Sequence, residues 1–67
     1  MPNERKIKAK ITEMGLTIGK IADKIGVSPY TLGRKISGKT PMSVKEAHLL
    51  QKELHIADQE VAVYFFT

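Results

Sequence analysis

A chain of 67 residues with no cysteine and a net charge of +4 has room for a single domain, 1–67, whose small core needs short, well-capped helices or a second copy to hold it. Disulfides and thiolate metal sites are excluded, and no segment reads as a signal peptide or a membrane span, so a soluble intracellular protein is expected. The charge is uneven: ten Lys/Arg against three Asp/Glu up to Lys45, a net +7, then one against four from Glu46 onward, a net −3. A basic front and an acidic back suit a polyanion on one face; an unevenly solvated surface is the plainer account.

Apolar residues recur at helical spacing throughout, which predicts an all-α fold of five helices. The first is predicted from about Glu4 to Met14. Asn3 is suited to cap it, Gly15 to end it in the left-handed conformation, and Ile7, Ile11 and Met14 form its buried stripe. Thr17 is the expected cap of the second helix, with Leu16 and Ile21 spaced as a hydrophobic staple. Ile21, Ala22 and Ile25 face inward, and Gly26 closes it by accepting a positive φ. Val27 dips into the core. Ser28 caps the third helix, Pro29 takes its first turn, Leu32 and Ile36 form its core stripe, and Gly38 stops it. After a loop at Lys39–Met42, Ser43 and Glu46 have capping-box spacing at the head of the fourth helix, whose inward residues are Ala47, Leu50 and Leu54. A break is expected at His55–Ala57. The last helix runs from about Asp58 to Phe66, with Asp58 and Glu60 near its positive end.

The sharpest signal lies in 17–38. Two short helices meet at Gly26, with the small Ala22 inside the first and Leu32 inside the second. This is the sequence form of a helix-turn-helix, a device that lays its second helix in the DNA major groove. With Gly15-Leu16-Thr17 before it, Ile21-Ala22-Asp23-Lys24-Ile25-Gly26-Val27-Ser28 and Thr31-Leu32-Gly33-Arg34-Lys35-Ile36-Ser37-Gly38-Lys39 within it or at its end, and Tyr64-Phe65-Phe66 closing the chain, the sequence resembles the lambda repressor/Cro-like helix-turn-helix family, also called the XRE family. The resemblance covers almost the whole chain and is nearest to the family's small phage and prophage regulators. It implies a compact five-helix DNA-binding domain that occupies a double-stranded operator as a dimer, in the cytoplasm of a bacterial host cell.

With Leu32 and Ile36 inward, the outward face of the third helix is Ser28, Pro29, Tyr30, Gly33, Arg34 and Ser37. Arg34 is either a base reader, its guanidinium forked onto a guanine edge, or a phosphate clamp. Tyr30 either meets a thymine methyl, donates its hydroxyl to a phosphate, or packs half-buried. Ser28 is first of all a cap. Thr17, Lys20, Lys35 and Lys39 are candidate phosphate contacts. Two positions depart from the family's pattern. Ile18 stands where a polar residue, often glutamine, is usual, and Gly33 where a serine or other reader is common. These apolar replacements support a second reading, an anti-repressor or modulator that grips a phage repressor protein and blocks its DNA binding. Its contacts would be Ile18 and Tyr30, with Val63 and Phe66 at the C-terminal end. There, Val61 and Phe65 are expected to pack inward, leaving Val63 and Phe66 outside or between two copies of a homodimer.

No catalytic constellation is visible, and no cofactor or enzymatic activity is expected. His48 and His55 lack the further ligands that a metal site needs, and a chain this small has little room for a large closed pocket. The sequence begins at Met1 and ends on an aromatic cluster, which leaves a further C-terminal extension open.

Overall fold

The computed structural model describes residues 2–66. Asn3 opens the first helix, α1 (Glu4–Glu13), by accepting the Lys6 backbone N–H on its side chain at 3.1 Å. Gly15, at φ 71°, carries the chain out of it. Thr17 caps α2 (Ile18–Ile25) in the same way, and its hydroxyl accepts the Lys20 N–H at 3.2 Å. After the Gly26–Ser28 turn, α3 (Pro29–Ile36) starts with proline in its first turn, where no N–H is needed. The capping box heads α4 (Val44–Glu53): Ser43 Oγ accepts the Glu46 N–H at 3.1 Å, and the Glu46 carboxylate accepts the Ser43 N–H at 2.8 Å. The break after α4 falls at His55, which takes a left-handed φ of 54°.

Among the described residues the fold is five α-helices and one 3-10 turn, with no strand. It measures 27 × 25 × 20 Å along its principal axes. Helix α2 packs against α3 and α4, and α1 packs against α5. One core collects the inward stripes: Ile7 and Ile11, Ile21 and Ala22, Leu32 and Ile36, then Ala47, Leu50, Leu54 and Ile56, with Tyr64 and Phe65 closing it. Each fully buried aliphatic side chain contributes roughly 1.5–3 kcal/mol. Among the described residues no polar or charged residue is buried, and no buried side-chain nitrogen or oxygen lacks a partner. Met14, Leu16, Ile25 and Val27 pack against the core only half-buried. None of the described helices is long and apolar enough to cross a membrane.

The C-terminal segment departs from the single helix expected over 58–66. A 3-10 turn at Asp58–Glu60 leads into a short α5 (Val61–Phe65), and no side chain caps either element. Gln51 accounts for the difference. Its amide donates to the Ile56 carbonyl at 3.2 Å and to the Asp58 carboxylate at 2.6 Å. Asp58 is thereby tied to α4 instead of to the amides of its own helix. Of the two residues expected inward here, Phe65 is buried and Val61 half-buried. Tyr64 joins them: its carbonyl accepts the Asn3 N–H at 2.7 Å and its ring lies 5.1 Å from the Lys6 ammonium.

Candidate nucleic-acid interface

The geometry of α3 follows from the turn before it. Gly26, at φ 82°, and Val27 both donate to the Ala22 carbonyl, at 2.9 and 3.0 Å, so the chain reverses within three residues. Ser28 then locks the new helix: its Oγ accepts the Thr31 N–H at 3.1 Å and donates to the Thr31 hydroxyl at 2.8 Å. With Leu32 and Ile36 sunk in the core, the opposite side of α3 is turned outward. Pro29, Tyr30, Gly33, Arg34 and Ser37, joined by Lys39 and by Glu4 of α1, line an open hollow of about 380 Å³. Ser28 is exposed beside this group.

Tyr30 is 74% exposed, so its ring is not a packing element. Arg34 is half-buried and held at three points. Its guanidinium carbon lies 5.9 Å from the centroid of the Tyr30 ring, an attraction between a cation and the negative face of the ring. Its Nε donates to Thr40 Oγ1 at 3.2 Å. Its carbonyl accepts from Ser37 Oγ and from the backbone N–H groups of Lys39 and Thr40, at 3.0, 3.0 and 3.3 Å. The two terminal nitrogens make no hydrogen bond to any described residue. What remains is a planar, oriented fork of donors, the arrangement that matches two acceptors side by side.

Lys20 and Lys39 are exposed and make no ion pair with any described residue. Thr17 is exposed, with its oxygen committed to the α2 cap. Lys35 corrects the sequence-based grouping. It points away from the Tyr30–Arg34 face and is engaged by the Glu46 carboxylate, its side chain only 17% exposed. That bond, with the backbone N–H of Ser43, holds the Glu46 carboxyl below its ordinary pKa of 4.5. Lys35 is therefore a structural cation joining α3 to α4. Ile18 also differs from a free apolar contact, because it packs half-buried against the core. Val63 and Phe66 are 42% and 62% exposed, on α5 and just beyond it, and neither is among the residues that line the hollow on α3.

A second, larger hollow of about 580 Å³ lies behind α3, walled by Ile25, Val27, Met42 and Leu49 with Lys35 and Glu46. Its Lys35 is already neutralised. The smaller hollow, which holds an oriented arginine and the exposed Lys39, is the better place for an anion. Two of its participants were not legible in the sequence. Thr40 reaches Arg34 from a loop six residues on, and Glu4 arrives from a different helix and is paired with Lys8 at 2.9 Å. Comparison with known protein families, curated proteins and solved structures finds no match to this chain.

Proposed function

We propose that this protein is a sequence-specific DNA-binding regulator that acts by occupying an operator. In this reading α2, the Gly26–Ser28 turn and α3 are a helix-turn-helix, and α3 is the helix laid in the major groove. The observation that carries it is the Arg34 fork, set 5.9 Å from the Tyr30 ring centroid and tethered through Nε by Thr40, with its two terminal nitrogens bonded to no described residue. Guanine offers N7 and O6 side by side on its major-groove edge, and a guanidinium meets both at once. Lys20, Lys39 and Thr17 supply phosphate contacts that set register without reading sequence. A second copy, binding a half-site ~34 Å away, would multiply the weak affinity of one module.

The test is a gel shift and footprint on the intergenic DNA beside the gene, at two salt concentrations. Wild type is expected to protect a defined segment, more weakly at higher salt, and Arg34→Ala to lose that protection. Binding that ignores sequence, or that survives Arg34→Ala unchanged, counts against the reading. The exposed Tyr30 ring favours a second reading, in which the same face covers a phage repressor protein. Adding a phage repressor protein bound to its operator separates the two. An anti-repressor shifts no DNA alone and releases the repressor from its operator, and Tyr30→Ala abolishes that release.

A further inference from the structure

Gly33 occupies the fifth of the eight positions in α3, where glycine is the costliest residue apart from proline. The fold does not ask for it. Its φ is not among the positive values, which belong to Gly15, Gly26 and Gly38. A Cβ built on it would meet nothing within 4 Å. Neither backbone conformation nor packing within the chain explains the missing side chain. The space it leaves forms part of the hollow on α3, beside Pro29, the Tyr30 ring and Arg34.

We infer that this notch receives the 5-methyl group of a thymine adjacent to the guanine read by Arg34. The inference rests on the proposed function and specifies its ligand. The chemistry of the notch selects the occupant. Its floor is a glycine, the proline and tyrosine rings line the same hollow, and the nearby Ser37 hydroxyl is already donated to the Arg34 carbonyl, so the floor of the notch offers no hydrogen-bonding side chain and accommodates an apolar group. Among the groups on the major-groove edges of the base pairs, the thymine methyl is the apolar one. Charge agrees. Arg34 and Lys39 border the hollow, while its one carboxylate, Glu4, is balanced by Lys8. A glycine in this setting lets the helix backbone approach the ligand closely. The recognised step is then a guanine beside a thymine, with hydrogen bonds read by Arg34 and shape read by the gap next to it.

The test begins by enriching duplexes from a random pool with the full chain. Each thymine of the enriched duplex is then replaced singly by uracil, which removes the methyl and keeps every hydrogen-bonding group. Affinities are measured for wild type and Gly33→Ala. Replacement of the thymine beside the Arg34-dependent guanine is expected to weaken wild-type binding about fourfold, the effect of one buried methyl-sized group. Gly33→Ala is expected to melt at or above the wild-type temperature, to bind the thymine duplex severalfold more weakly, and to show no preference for thymine over uracil. That non-additivity is the signature of two groups sharing one space. An enriched motif with an Arg34-dependent guanine and no effect of uracil in wild type overturns the inference and leaves the proposed function standing. A pool that enriches nothing overturns both. The wild-type uracil series decides the matter even if Gly33→Ala fails to fold.

Discussion

Replacing Thr40 by valine removes the hydroxyl that holds Arg34 Nε while keeping the shape of the side chain. On the proposed function the expected result is a loss of about 1 kcal/mol in operator affinity, with little change in melting temperature, read by fluorescence anisotropy beside a thermal scan. Arg34→Ala removes the fork itself and should cost about 1–3 kcal/mol, concentrated at one base position. Arg34→Lys should not restore that position, because an ammonium is a point charge without the planar pair of donors. Glu46 makes a different kind of prediction. Its folded-state pKa lies below the ordinary 4.5 because Lys35 and the Ser43 N–H bond the carboxylate. The unfolded chain therefore takes up the proton first on acidification. The stabilisation is fully present above about pH 4.5 and is lost as pH falls through the lower folded-state value. Urea titrations of Glu46→Gln should accordingly show a shallower loss of stability than wild type across that acid window.

The helix starts are where local chemistry speaks most clearly. Asn3, Thr17, Ser28 and Ser43 each bond an amide three residues on, and each is recognisable in the sequence because a short polar side chain ahead of an apolar stripe has little else to do there. Ser43→Ala should cost about 1 kcal/mol and lower the melting temperature by roughly 4–8 °C. The α3 stripe was legible for the same reason, since Leu32 and Ile36 four residues apart leave one side for the core and the other for solvent. The C-terminal segment was not. Its start depends on Gln51 clamping Asp58 from α4, and the burial of Tyr64 depends on Lys6 and Asn3 from the far end of the chain. Contacts of that range leave no mark on local periodicity. The same applies at the candidate site: the pattern exposes Tyr30 and Arg34, whereas the Thr40 tether and the capture of Lys35 by Glu46 exist only once helices meet.

For the molecule as a whole, the lysines should divide into two kinds. On the proposed function, Lys20→Ala and Lys39→Ala should each reduce the slope of log DNA affinity against log salt by ~0.9 and leave the melting temperature nearly unchanged. Lys35→Ala should lower the melting temperature, because it strands Glu46, and leave the slope alone. The core tolerates little loss. A domain of this size is stable by only roughly 3–10 kcal/mol, and Leu50→Ala at a fully buried site removes about 2–5 kcal/mol of that. Asn3 donates to the Tyr64 carbonyl at 2.7 Å, so the two ends of the described segment lie side by side. Joining residues 2 and 66 of the described segment through a short peptide would turn that segment into a macrocycle without disturbing a helix. Such a circle should outlast the linear form on heating, since closure restricts the denatured coil far more than the native fold.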